Sequence, residues 1–366
     1  MTDPIAWDVA ESVAVRLASR HAAPPASQMR ALEADFMELT AQAEDLVEAE
    51  TGLRSLAGPA RARVTDQSGW VRANVASFRR LIQPVADKLT ASMNEPTRIG
   101  GVPLQLPASI SRRMAGAQIG LLLGWMSARV LGQYDQLLTE DEDPLDQDLV
   151  YYVGPNILSL ERRHGFPPRE FRLWIALHEV THRAQFTGVP WMREHFLSLV
   201  NDTLGSVDPD PKRLLEALRR SAEAIRAGRN PLDEGGLITL LATPEQFLAI
   251  QQIGGLMSLL EGHGDVTMDR AGADAIPNAP TFSRVLRERR QRRGPSKILT
   301  SLIGLDAKMR QYEEGERFIA SVEGAGGPDL FAKVWRGPEW LPSLPEIREP
   351  GRWITRAGGS PLALGS

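Results

Sequence analysis

Residues 173–191 read LWIALHEVTHRAQFTGVPW, an apolar stretch that contains two histidines, His178 and His182. A proline pair ending at Pro168 before this stretch and Gly188 near its end are typical of the start and end of a helix. Histidines four positions apart lie on one face of a helix, about one turn apart. Two imidazoles at that separation can bind one Zn²⁺ at roughly 2.0–2.1 Å each. The stretch therefore predicts a metal-binding helix.

Glu179 lies between the two histidines in the H-E-x-x-H pattern. A carboxylate beside a metal that it does not bind can accept a proton from an activated water and later protonate the leaving group. We predict this general-base role for Glu179. The alternative is a non-catalytic metal site, in which Glu179 only braces a ligand. Arg183 and Gln185, which follow the motif, are expected to be solvated.

The third metal ligand is expected on a later apolar helix within residues 252–269. Glu261 directly follows two leucines there, and a buried carboxylate is costly unless it is paired or bound to a metal. We favour Glu261 as the ligand, with His263 as the alternative. These two residues lie about 200° apart around a helix, so they are not expected to bind the same ion. Asp265, one turn after Glu261, is predicted to hold a ligand imidazole in one tautomer.

The pattern H-E-x-x-H on one helix with E-x-x-x-D on a later helix resembles the gluzincin branch of zinc metallopeptidases. The chain also resembles an actinobacterial family of zincin-like hydrolases, whose members are labelled deazaflavin-coenzyme-biosynthesis-associated or zinc-dependent metalloprotease. The resemblance covers residues 95–320, and the motifs that carry it are GAQIG at 116–120, VLGQYD at 130–135, PN at 155–156 and the stretch 173–191.

This resemblance implies a zincin-like metallopeptidase core with one zinc ion per chain, bound by His178, His182 and Glu261. It also implies a sheet edge that aligns an extended substrate beside the metal. The gap between His182 and Glu261 is longer than is usual in gluzincins. The polar and turn-rich residues 200–240 are accordingly read as an insertion.

The predicted fold class is mainly α with a small β-sheet (α+β). We expect three regions: a helical N-terminal layer at 1–95, the zincin-like catalytic core at 96–323, and an irregular C-terminal tail at 324–366 that is rich in Gly, Pro and Trp.

Two segments before the metal helix bear on the core. Residues from Ser109 to Leu138 are predicted to form one long helix, whose small residues let another helix approach closely. Residues Leu149–Val153 are predicted to form a strand, and residues Asn156–Glu161 are expected to continue the sheet.

The composition excludes several classes of site. The chain has 366 residues with 42 basic and 46 acidic side chains, so no broad basic field for nucleic acid is expected. A basic cluster from Arg284 to Lys297 predicts a solvated helix face, with a surface for an anionic partner as the alternative. The absence of cysteine excludes disulfides, thiolate nucleophiles and cysteine metal ligands.

The sequence also favours a cytoplasmic protein without a membrane span. Its start is acidic and lacks the pattern of a signal peptide. The most apolar stretch, Met114 to Leu131, has fewer uncharged residues than the ~20 needed to cross a bilayer.

The favoured function is a zinc-dependent hydrolase, foremost a metallopeptidase, that acts on a peptide or a small molecule. One alternative is a catalytically inactive zincin scaffold with a binding or regulatory role, in which the long segment 183–260 covers the metal. The other, which rests on the resemblance alone, is a small-molecule hydrolase in deazaflavin coenzyme metabolism. The group that contacts the substrate or stabilises the transition state is sought among five candidates: Tyr151, Tyr152, His195, His263 and Tyr312.

Overall fold

The computed structural model describes residues 3–20, 23–93, 98–99, 102–103, 108–134, 148–205, 244–291 and 305–358. The described chain is mainly helical with a small mixed sheet, so the predicted fold class is confirmed. It forms two compact units, one of Met1–Arg183 with Asp274–Ala279 and one of Ala184–Ala273 with Pro280–Ser366. From residue 206 onward the predicted insertion lies outside the described residues, and the region boundaries at 95 and 323 stay predictions.

The first unit contains six helices and five strands among the described residues. The helices are α1 (Trp7–Ala18), α2 (Ala26–Thr51), α3 (Gln67–Met93), α4 (Ala108–Ser127), α5 (Gly154–His164) and α6 (Pro168–Gly188), whose last five residues belong to the second unit. The strands are β1 (Arg61–Thr65), β2 (Arg98–Ile99), β3 (Val102–Pro103), β4 (Gly132–Tyr134) and β5 (Leu149–Val153).

Strand β5 is the centre of a three-stranded sheet, and all five of its residues are buried. Strand β1 pairs with it in parallel, and the edge strand β4 pairs with it antiparallel, with Gly132 opposite Tyr152. The predicted strand Leu149–Val153 is confirmed. The predicted continuation of the sheet through Asn156–Glu161 is wrong, because these residues belong to α5, which has Pro155 in its first turn.

Helices α1 and α4 pack closely through glycines of α4. A Cβ atom added at Gly116 would lie 2.2 Å from the carbonyl oxygen of Ala6, and one added at Gly120 would lie 2.5 Å from that of Ala10. The predicted close approach of a second helix is therefore confirmed.

Helix α4 ends at Ser127, so the predicted helix from Ser109 to Leu138 is wrong beyond that residue. The side-chain amide of Asn156 donates hydrogen bonds to the carbonyls of Ser127 and Val130, at 2.8 and 2.7 Å. These long-range contacts satisfy carbonyls at the helix end, and the chain then forms edge strand β4. A local apolar pattern cannot report a partner so distant in sequence.

The second unit is built around α8 (Pro244–Ala271), which packs against α7 (Met192–Gly205), α10 (Leu305–Phe331) and α11 (Leu344–Arg348). Helix α9 (Ala279–Gln291) carries Arg284 and Arg287 of the predicted basic cluster, whose part from 292 onward lies outside the described residues. Helix α12 (Pro350–Arg356) follows α11, and two short 3₁₀ turns at Ala332–Trp335 and Pro338–Trp340 precede them.

The prediction that the tail is irregular needs correction, because the chain after 323 is mostly helical as far as Arg356. Ile347, Trp353 and Ile354 are buried in one apolar cluster with Phe318 and Val322 of α10. Burial of these side chains offsets the turn-forming tendency of the many glycines and prolines. None of the described helices combines the length and hydropathy needed to cross a membrane, and the cytoplasmic location stays a prediction.

Candidate metal centre

Helix α6 presents the two histidines of the sequence motif on one face. It runs from Pro168 to Gly188, close to its predicted bounds, and the apolar residues before the motif are buried. In its first turn, the carboxylate of Glu170 accepts hydrogen bonds from the backbone and side-chain nitrogens of Asn278, at 3.0 to 3.2 Å. The Nε2 atoms of His178 and His182 lie 3.2 Å apart, with their rings nearly perpendicular.

This spacing fits two ligands of one zinc ion. Two nitrogens bound at roughly 2.0–2.1 Å with a tetrahedral angle between them lie about 3.3 Å apart. The Nε2 atoms are therefore already at the separation that a shared ion requires.

Glu179 lies one position after the first histidine and is buried. Its Oε2 atom accepts a hydrogen bond from the backbone nitrogen of Tyr134 at 3.1 Å. Gly132 makes room for it, since a Cβ atom there would lie 2.6 Å from Cγ of Glu179 and 2.8 Å from its Oε1. Edge strand β4 therefore fixes the position of the predicted general base.

Arg183 and Gln185, which the sequence predicted to be solvated, are both buried. The guanidinium of Arg183 is ion-paired with Asp148 and Glu44 and also donates to the carbonyl of Gly58. Burial lowers the pKa of Arg183, but the hydrogen bond and charge of Asp148 and the charge of Glu44 outweigh that effect and raise it. No sequence signal indicates these partners, because they lie far away along the chain.

Gln185 connects the end of α6 to α8. Its Nε2 atom donates to the carbonyl of Leu260 and to Nδ1 of His263, at 3.0 Å each. The His263 ring also contacts the rings of Phe331 and Trp335, at centroid distances of 5.7 and 5.0 Å. His263 is thus buried in an aromatic environment with Nδ1 occupied as an acceptor.

Glu261 is buried on α8, where close helix packing fixes the backbone around it. A Cβ atom added at the adjacent Gly262 would lie 2.5 Å from the backbone of Gly315 on α10. One added at Gly255 would lie 2.3 Å from the carbonyl oxygen of Pro342. These glycines let α8 touch its neighbours at backbone distance, which leaves little freedom for the segment that carries Glu261.

Three predicted ligands form a group that could hold a metal ion: His178, His182 and Glu261 each offer one donor atom, and these atoms lie within 4.8 Å of one another. Two imidazoles and one carboxylate are the donor set of His₂Glu zinc sites. The alternative ligand His263 is not in this group.

The other predicted site residues are placed as follows. Asp265 is half-buried one turn after Glu261, and Tyr151 is buried on β5. The Tyr152 hydroxyl shares a 2.8 Å hydrogen bond with that of Thr40, and burial raises its pKa. Burial lowers the pKa of His195, and the Tyr312 side chain lies outside the described residues. The substrate-contact roles of these residues stay predictions.

Comparison with known proteins matches the chain to a protein family and to a solved structure. The sequence model of the zincin-like metallopeptidase family matches residues 5–354. A protein from Chloroflexus aurantiacus, whose crystal structure is described as that of "a putative hydrolase with a novel fold", is 30% identical. The similarity covers 97% of this chain and 99% of that one, with a TM-score of 0.69. No curated protein matches the chain.

Proposed function

Because the chain belongs to the zincin-like metallopeptidase family, we propose that it is a zinc-dependent hydrolase that cleaves peptide bonds. In this proposal His178, His182 and Glu261 hold one zinc ion per chain, and Glu179 is the general base. The observation that carries it is the 3.2 Å spacing of the two histidine Nε2 atoms together with a carboxylate donor in the same group. The family and the hydrolase description of the similar crystal structure support metal-dependent hydrolysis.

The residues divide the chemistry between them. A bound zinc ion would supply Lewis-acid polarisation of a carbonyl and of a water molecule. The Glu179 carboxylate accepts the proton of the attacking water and delivers it to the leaving nitrogen as the peptide bond breaks. One water is consumed for each bond, and the products are a carboxylate and an amine.

Glu179 suits this role because its carboxylate is held by strand β4, separately from the two histidines. The backbone nitrogen of Tyr134 donates to Oε2 and so orients the carboxylate. Asp265, half-buried on the helix that carries Glu261, is proposed to orient the ring of a ligand histidine.

The direct test compares the wild type with Glu179→Gln on a mixture of internally quenched fluorogenic peptides, with bound zinc quantified in both proteins. We expect the variant to keep its zinc and to lose hydrolysis by about a hundredfold or more. Glu170→Gln, on the same helix, is the matched control and should cleave at the wild-type rate.

Full hydrolysis by zinc-bound Glu179→Gln would contradict the mechanism. A wild-type protein that holds zinc but cleaves no peptide would favour the inactive scaffold or the small-molecule hydrolase instead.

A further inference from the structure

Helix α6 carries a second pair of functional side chains beside the histidines. Glu179 and Arg183 are also four positions apart, so they lie on one face, about 100° around the helix from His178 and His182. Glu179 contacts the backbone of Tyr134, and Arg183 contacts Asp148, which bonds the side chain of the same tyrosine. Glu179 is therefore linked to Tyr134 directly, and Arg183 is linked to it through Asp148.

Arg183 is fixed by more contacts than a single ion pair would provide. Its side chain is only 1% exposed. Its Nε and Nη2 atoms donate to the Asp148 carboxylate, the closest contact being 2.6 Å, and its Nη1 atom lies 2.7 Å from Oε1 of Glu44. A buried charge requires such pairing, and the forked guanidinium holds its partners in a defined geometry.

Asp148 connects this cation to the edge strand. Its Oδ1 atom accepts a hydrogen bond from the hydroxyl of Tyr134 at 3.1 Å as well as one from Arg183. Its φ is +51°, the single positive value among non-glycine residues in the described ranges. Residues held in this sparsely populated region persist where the surroundings determine them, and they occur often at functional sites.

The contacts close a ring that begins and ends on α6. It runs from Glu179 to the backbone of Tyr134, through the tyrosine side chain to Asp148, and from there to Arg183. Tyr134 itself is buried, at the end of edge strand β4. The bond to Asp148 therefore adds a side-chain attachment, beyond the backbone ladder to β5, at the residue whose backbone nitrogen contacts Glu179.

We propose that Tyr134, Asp148 and Arg183 are positioning residues for Glu179. They hold the end of β4 so that the Tyr134 N–H orients the carboxylate toward the substrate. The consequence for catalysis rests on the proposed function of Glu179. The positioning itself is a property of the folded chain and is measurable without any substrate.

The test is the amide exchange rate of residue 134, measured by ¹⁵N NMR on the full-length protein without substrate. Tyr134→Phe removes the bond to Asp148 but leaves the ion pairs of Arg183 in place. We expect exchange at residue 134 to become about fivefold faster, as for the loss of one hydrogen bond of ordinary strength. Asp148→Asn, which weakens the bond to Arg183, should act in the same direction and serves if the first variant folds poorly.

Thr40→Val is the matched control, because it removes a buried hydroxyl bond to Tyr152 in the same sheet. It should lower stability without changing exchange at residue 134. Unchanged exchange in Tyr134→Phe and Asp148→Asn, or an equal increase in Thr40→Val, would overturn the proposal.

Once a fluorogenic peptide that the wild type cleaves is known, kinetics separate an effect on the position of Glu179 from an effect on folding stability. Tyr134→Phe should lower kcat and leave KM and bound zinc unchanged. A loss of kcat/KM that came from a higher KM instead would contradict the positioning role. Because the exchange measurement needs no turnover, failure of the peptidase proposal and failure of this one give different results.

Discussion

Helices α6 and α8 carry the predicted ligands and are held in place by different means. Around α6 the contacts are charged: Arg172 is paired with Glu161 and Asp35, and Arg183 with Asp148 and Glu44. Around α8 the ion pair of Arg270 with Glu323 is partly exposed, and the closest contacts are steric. Glycines bring the α8 backbone against α10 and against the chain before α11.

The difference determines what each helix tolerates. A charged contact fails when one partner is removed, because the other is left buried and unpaired. A backbone contact fails when an atom is added, since main chain cannot rotate away. Deletion should therefore damage the surroundings of α6, and addition should damage those of α8.

The largest effect is expected for Arg183→Met, which leaves Asp148 and Glu44 without their cation. We expect the free energy of unfolding to fall by about 3–5 kcal/mol in chemical denaturation. Arg169→Met is the control, because Arg169 also lies on α6 but forms an exposed pair, with Glu38 of α2. No measurable change in stability should follow. Equal effects of the two substitutions would show that the buried pairs of Arg183 stabilise α6 no more than an exposed pair does.

Gly315→Ala tests the steric contact of α8. The added Cβ would lie 2.0 Å from the carbonyl oxygen of Ser258, so α10 and α8 must separate. We expect a loss of about 3 kcal/mol in the free energy of unfolding, measured in the same way. Gly351→Ala adds a Cβ with no atom within 4 Å and should cost nothing. A Gly315→Ala protein as stable as the wild type would show that the two helices can separate at this contact without cost.

Gly132→Ala should affect activity more than stability, because the three atoms nearest to its added Cβ all belong to the side chain of Glu179. The carboxylate can swing away, so stability should change little. Hydrolysis should fall at least about tenfold, roughly the contribution of one well-placed catalytic contact. Peptide turnover and bound zinc are measured together, and loss of zinc would count against this explanation.

The smallest effect is expected at Glu346, which forms polar contacts with Arg356 and Ser343 in the second unit. Burial acts to raise its pKa, but hydrogen bonds from Arg356 and Ser343 outweigh it, so the pKa lies below the ordinary 4.5. The stabilisation is therefore present above pH 4.5 and is lost as pH falls through the folded pKa. Glu346→Gln should cost about 1 kcal/mol at pH 7 and progressively less in acid, as followed by denaturation at several pH values. A pH-independent difference would contradict this assignment.

The motif helix could be predicted because its signals are local. The apolar run, the proline at its start and the glycine at its end lie within one stretch, and the structure places α6 close to the predicted bounds. Glu261 could be proposed because a carboxylate behind two leucines is costly to bury without a partner.

The polar partners of α6 could not be predicted in this way. Arg183 is separated from Asp148 by 35 positions and from Glu44 by 139, so sequence patterning gives no sign that they meet. Strand β4 was missed for a related reason, since its neighbours continue a helical pattern and its ladder to β5 is set by tertiary contacts. The proposed general base could thus be named from sequence, whereas the residues that contact it could not.

The zinc content of the purified protein tests the central claim most directly, measured for the wild type, Glu261→Ala and His263→Asn. The asparagine keeps an acceptor for Gln185 but removes the imidazole, so it separates ligation from packing. We expect one zinc per chain in the wild type, its loss in Glu261→Ala and its retention in His263→Asn. Zinc retained by Glu261→Ala, or lost from His263→Asn in a folded protein, would contradict the ligand set.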